Sequence, residues 1–302
     1  MKQTFYSNGK LLLTGEYLVL DGAKALALPT KFGQNLVISD GEASTISWTS
    51  YDSDGTVWFE STFTFEEIKS FQTLEKGIKK TLFEILSEAH KLNSEFLSDS
   101  KGYTIETHLT FPKNWGLGTS STLLANIAKW LEIDPFQLLK NSFGGSGYDI
   151  ACAQNDTAIL YELSNERPHF TAVDFYPDFH DNLYFLYLNQ KQSSKTAIAT
   201  YLGKQKEKDR TIIEINQITA EVLNTDSIKT FALALEKHES LMSNILEMHT
   251  VKEALFPDFK GVIKSLGAWG GDFVLVVSKE NPKKYFEGKG YATLLSFSDM
   301  IL

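Results

Sequence analysis

The chain has 302 residues, 42% hydrophobic and 22% charged, with a formal net charge of −9. That length can bury a sizeable core in one large domain or two, and a negative chain without a long basic run is a poor general partner for nucleic acid or acidic membranes. One cysteine, Cys152, excludes an internal disulfide framework and a cysteine metal cluster. No apolar run approaches membrane-spanning length, and Met1-Lys2-Gln3-Thr4-Phe5-Tyr6 lacks the apolar segment of a signal peptide. A cytoplasmic protein, without nucleic-acid or membrane partners, is therefore expected.

The first third reads as strand-rich. Phe5, Leu11 to Leu13, Tyr17 to Leu20, Ala25 to Leu28 and Leu36 to Ile38 are apolar runs punctuated by Gly9, Gly15, Asp21-Gly22 and Gly33. Asp21-Gly22 is a hairpin signal. Ile46 to Trp48 and Val57 to Phe65 read as strands around an Asp52-to-Gly55 turn. Leu74 to Leu92 follows with a helical apolar stripe. Tyr103 to Leu109 alternates with period two, and Leu123, Leu124, Ile127, Ala128 and Leu131 share one helix face. Asp134-Pro135 caps a short helix through Leu139. Ile159 to Tyr161 is a strand, Asn165 to Pro177 a loop-rich crossing, and Tyr184 to Leu188 a buried strand. Helices over Arg210 to Leu223 and Ile228 to Met248 precede a strand at Phe273 to Val277. Grouped rather than alternating elements point to α+β architecture, with a boundary that divides residues 1–170 from 171–302.

Four stretches carry candidate chemistry. Pro112-Lys113-Asn114-Trp115-Gly116-Leu117-Gly118-Thr119-Ser120-Ser121 joins a strand to a helix through two glycines and a hydroxyl cluster. Glycine lets the backbone approach a ligand, and the first helical N–H groups suit a phosphate. It is not a GxxxxGK[ST] loop, since no lysine follows Gly118. The plain alternative is a turn with a Ser/Thr cap. Gly9-Lys10 followed by Gly15-Glu16-Tyr17 puts a cation at a strand start, where it meets either a phosphate or only solvent. Gly144-Gly145-Ser146-Gly147-Tyr148-Asp149 delivers a carboxylate to a helix start, where it is a base or a plain N-cap. Lys264 to Phe273 is a glycine turn feeding an apolar strand. The six histidines show no HExxH-type spacing.

Taken in order, these stretches resemble the signatures of the GHMP kinases. Gly9 to Leu28 resembles the N-terminal motif, Pro112 to Ser121 the P-x-x-x-G-L-G-S-S phosphate loop, and Gly267 to Asp272 the C-terminal glycine motif. The resemblance covers essentially the whole chain. It implies an N-terminal domain like ribosomal protein S5 domain 2, which binds nucleotide, and a C-terminal ferredoxin-like α/β sandwich. Lys10 with Asp149 points to the mevalonate and phosphomevalonate kinase branch.

The resemblance further implies that Pro112, Gly116, Leu117, Gly118, Thr119, Ser120 and Ser121 hold ATP. Lys10 would stabilise charge at the acceptor oxygen, and Asp149 would take or orient its proton. Glu16, Tyr17, Ser146, Gly147, Gly267, Ala268 and Gly270 fall on the substrate side. Ser194 and Lys195 join them, in a segment placed to hold a carboxylate or phosphate of a mevalonate-like anion.

Three departures stand out. Trp269 replaces a motif glycine, which would reshape the turn or narrow its pocket, and Thr119 replaces the first serine. The family glutamate that ligates magnesium falls near Leu138, which leaves Glu132, Asp134, or Ser120 with nucleotide phosphates and water as Mg²⁺ partners. No oligomer seam is visible, which leaves a homodimer open. The rival expectations are a kinase for another small alcohol or sugar, and a nucleotide-binding regulator that has lost catalysis.

Overall fold

The computed structural model describes residues 2–71, 77–98, 101–190, 201 and 208–302. The chain forms two compact units interleaved in sequence: Met1–Gly9, Phe32–Lys113 and Leu117–Gln154 make the first, and Lys10–Lys31, Asn114–Gly116 and Asn155–Leu302 the second.

In the first unit, strands β3 (Thr45–Tyr51), β4 (Val57–Thr64) and β5 (Gly102–Leu109) join the distal half of the 17-residue β2 (Ala25–Gly41) in the order β4-β3-β5-β2. β1 (Gln3–Leu12) also pairs with β2. β3 and β5 run parallel, with Trp48 opposite Ile105, so a crossover must link them. Helices α1 (Phe65–Lys69) and α2 (Ile78–Leu92) lie in that crossover. Alternation buries Ile46, Trp48 and Ser50 of β3, while α2 contributes Leu82, Ile85, Leu86 and Ala89. Helices α3 (Thr119–Leu131), α4 (Pro135–Ser142) and α5 (Tyr148–Ala153) complete the unit, and α3 adds Leu124, Ile127 and Ala128 to the same core.

In the second unit, the proximal end of β2 pairs with β6 (Ile159–Ser164), which pairs in turn with β7 (Arg167–Ala172). A second, fully antiparallel sheet follows the order β11-β8-β10-β9, formed by β8 (Leu183–Tyr187), β9 (Val262–Ser265), β10 (Phe273–Val277) and β11 (Leu294–Ser296). Helices α6 (Asp209–Asn224) and α7 (Ile228–Leu246) pack on each other, α7 contacts β9, and α8 (Val251–Leu255) follows. The α+β architecture expected from sequence is what forms. Among the described residues, no helix is long and apolar enough to cross a membrane.

Several local expectations change. Tyr17 to Leu20 is not a strand: Leu18–Asp21 is a 3₁₀ turn, and Gly22, at φ 89°, is its C-cap rather than a hairpin corner. Asp-Gly serves both geometries, because each needs a left-handed glycine. Gly33 does not break β2; the Ser7 carbonyl lies where its Cβ would be, so the two apolar runs form one strand. The crossing predicted from Asn165 is partly β7, reached through Asn165 and Glu166 at φ 50° and 59°, a tight turn without glycine. The α2 stripe begins at Ile78; Leu74 to Glu75 lie outside the described residues.

Candidate active site

The phosphate-loop candidate follows β5 through buried Phe111 into a 3₁₀ turn at Lys113–Trp115. The Lys113 N–H donates to Asp52 Oδ1 at 3.0 Å, which ties Pro112-Lys113 to the β3–β4 turn. Gly116 and Gly118 take φ 69° and 98°, and Gly118 is the N-cap of α3. No side chain caps that helix, which removes the Ser/Thr-cap reading. The hydroxyls instead point back at carbonyls: Ser121 Oγ donates to Gly118 O at 2.9 Å. Thr122 Oγ1 lies 3.0 Å from Gly118 O and 2.8 Å from Gln34 Oε1. Ser120 is exposed, Thr119 half-buried, and Leu117 buried beneath the turn. Among the described residues, the first N–H groups of this 13-residue helix are thus left without side-chain acceptors, at the positive end of its dipole.

Within the second unit, Asn114–Gly116 is held from several directions. Lys10 Nζ, half-buried near the end of β1, donates to Gly116 O at 3.2 Å. The Tyr187 hydroxyl donates to Asn114 O at 3.1 Å, and Trp115 meets Phe273 edge-on at 5.3 Å. A Cβ on Gly116 would overlap the Asp272 carboxylate, so only glycine fits there. Asp272, at φ 52°, is fixed by its N–H to Gln190 O (3.0 Å) and its carbonyl from Leu188 N–H (2.8 Å). Burial, and then the Asp272 charge, push the Tyr187 phenol above its ordinary range. Asp272 closes the last glycine motif, and its sequence signal is the Gly270-Gly271-Asp272 ending.

Asp149 lies in the first turn of α5, whose N-cap is Gly147 at φ 85°; it is therefore not an N-cap. Its carboxylate is half-buried, and Oδ1 accepts the Ile150 N–H at 3.0 Å. Ser146 is half-buried and Gly147 buried in the preceding turn.

The magnesium candidates fare unequally. Leu138 is fully buried in the core. Asp134 is occupied as the α4 N-cap, accepting from Phe136 N–H, and Glu132 is the left-handed C-cap of α3. Among the described residues no group of three or more His, Cys, Asp or Glu is placed to hold a metal. Among those residues, a cage built from protein carboxylates does not form.

Glu16 is not open to a ligand. It is 2% exposed, its Oε1 takes the Lys264 ammonium, and its Oε2 lies 3.2 Å from His238 Nε2. Burial pushes its carboxyl up to about 7, against the opposing pull of Lys264. Glu239, 3.4 Å from Lys264, is likewise raised by burial; burial and then Lys264 hold His238 well below its usual range. Tyr17, at φ 60°, is buried, and its hydroxyl accepts the Trp269 N–H at 2.8 Å.

Gly267 and Gly270 take φ 69° and 78° on either side of buried Ala268 and Trp269. The Trp269 indole is 5% exposed and donates to His249 O at 3.1 Å. It is packed into the unit, so it braces the turn and does not narrow a pocket. Ser194 and Lys195 lie outside the described residues.

No protein-family model matches the chain, and no curated protein matches it in sequence. Solved structures do match in fold. Streptococcus pneumoniae phosphomevalonate kinase, in complex with phosphomevalonate and AMPPNP, aligns at TM-score 0.72 with 16% identity over 97% of this chain and 99% of its own. Methanococcus jannaschii mevalonate kinase aligns at 0.68 with 16% identity, over 96% and 95%. Lactococcus lactis galactokinase, complexed with galactose, aligns at 0.69 with 13% identity, over 95% and 88%. The chain has the GHMP kinase fold.

Proposed function

We propose that the protein is a GHMP-type kinase that transfers the γ-phosphoryl group of ATP to mevalonate or phosphomevalonate. The observation that carries this reading is the uncapped N-terminus of α3 behind a glycine turn, whose Gly116 carbonyl is held by Lys10. Fold neighbours that are phosphomevalonate, mevalonate and galactose kinases support the reaction class. The Lys10 and Asp149 motifs support the isoprenoid branch within it.

Phosphoryl transfer needs positioning and charge stabilisation more than covalent help. In this proposal the backbone of Gly118 to Ser121 receives the ATP phosphates, and Pro112 to Leu117 shape the approach. Lys10 offsets charge on the acceptor oxygen, and Asp149 orients or accepts its proton, an effect of about a hundredfold or more for a positioned base. Mg²⁺ would arrive with the nucleotide and be held by its phosphates, water and the exposed Ser120 hydroxyl, as Mg²⁺ tolerates a largely hydrated shell. Ser146, Gly147, Gly267, Ala268 and Gly270, with Ser194 and Lys195, are assigned to the acceptor side. Glu16 and Tyr17 support that side from within the unit without touching ligand. Residues 1–170 carry the nucleotide-binding part and 171–302 the C-terminal part.

The test is ADP release from Mg-ATP across mevalonate, phosphomevalonate, homoserine, galactose and related alcohols. Turnover confined to an isoprenoid acceptor is expected. Turnover only on a sugar or amino alcohol would move the assignment to another kinase, and ATP binding without turnover would make the chain a regulator.

A further inference from the structure

Lys264 on β9 is fully buried and its ammonium meets two carboxylates, Glu16 of the Gly15–Tyr17 turn and Glu239 of α7. Ser265 Oγ donates to the other Glu239 oxygen at 3.1 Å. The Gly15 N–H donates to His238 Nε2 at 3.0 Å, so that imidazole is neutral with its proton on Nδ1. Glu16 Oε2 lies 3.2 Å from the same nitrogen, whose one lone pair the Gly15 N–H already occupies. The Gly267–Gly270 turn begins two residues beyond Ser265, and its Trp269 N–H donates to the Tyr17 hydroxyl.

Nothing reaches this cluster from solvent, so it is no ligand site. Its ion pairing is also a poor source of stability, because desolvating the charges offsets most of the attraction. What it does provide is direction: one ammonium joins the turn after β1 to the strand that feeds the last glycine turn.

We propose that Lys264 is a positioning residue that locks the Gly15–Tyr17 turn to the Gly267–Gly270 turn and so sets the geometry of the acceptor side. The role in catalysis rests on the kinase reading above; the locking of the turns does not.

The experiment is hydrogen–deuterium exchange on the full chain, wild type against Lys264→Met, Lys264→Arg and the charge-balanced Glu16→Gln/Lys264→Met/Glu239→Gln. Exchange should rise about tenfold or more in both turns together, while α3 and β10 keep their protection, as for a local opening. Lys264→Arg should recover part of that protection. In kinase assays KM for the acceptor should rise about tenfold while KM for ATP moves much less, since ground-state binding on one side is what is lost. Unchanged turns, a uniform rise across the unit, or failure of the charge-balanced variant to fold would overturn the proposal. Turns that loosen together in a chain inert toward every acceptor would leave the lock standing and remove the kinase reading.

Discussion

Gly116 is the position where backbone conformation and packing both demand one residue. Its φ of 69° disfavours any L side chain by about 1 kcal/mol or more, and a Cβ would also meet the Asp272 carboxylate. Gly116→Ala should therefore weaken ATP use by about tenfold, and Asp272→Gly in the same chain should restore part of it, since only the overlap is relieved. A double-mutant cycle on KM for ATP checks this; simple additivity would contradict the contact. Lys10→Met should lower kcat by about a hundredfold with far less effect on ATP affinity, if its charge acts mainly in the transition state.

Glu16 makes a pH prediction. Its folded carboxyl titrates at about 7, above its ordinary 4.5, so its contribution is complete below that ordinary value and is lost as pH rises through about 7. Glu239 acts in the same direction, whereas His238, held low, disfavours the fold as pH falls below its ordinary range; among the described residues, Lys264 is the cation they face. Thermal melts of wild type minus Glu16→Gln should therefore show a difference that declines from about pH 5 to pH 8. A flat difference would mean that Glu16 is ionised throughout.

At the scale of elements, α3 was legible because its apolar spacing and preceding glycines are local signals. Its capping was not: Thr122 Oγ1 is committed to Gly118 O and to Gln34, which lies 88 positions away in sequence. Thr122→Val removes that donor from a fully buried site and leaves Gln34 Oε1 short of a partner. It should cost about 1–3 kcal/mol by denaturant unfolding. The 3₁₀ turn at Leu18–Asp21 escaped for the opposite reason, since its apolar run and Asp-Gly are the same chemistry a hairpin uses. The β6–β7 turn escaped because Asn165-Glu166 carries no glycine to announce it.

At the scale of the molecule, motif order was enough to anticipate an α+β kinase fold, and neighbours at 13–16% identity have that fold over nearly the whole chain. The buried cluster was not legible, because Glu16, His238, Glu239 and Lys264 come from three segments and look individually like surface residues in the sequence. Trp269 in place of a glycine suggests a narrowed pocket by sequence, whereas its indole turns inward and donates to His249 O, a partner 20 positions away.

The proposed reaction is transfer of the γ-phosphoryl group to an isoprenoid alcohol or phosphate. It is tested most directly by following labelled γ-phosphate from Mg-ATP onto mevalonate and phosphomevalonate, in wild type and in Asp149→Asn. Label appearing on one acceptor, and falling about a hundredfold or more in the variant, is the predicted result. Label that stays on ATP in the wild type, or transfers equally well in Asp149→Asn, would contradict the account.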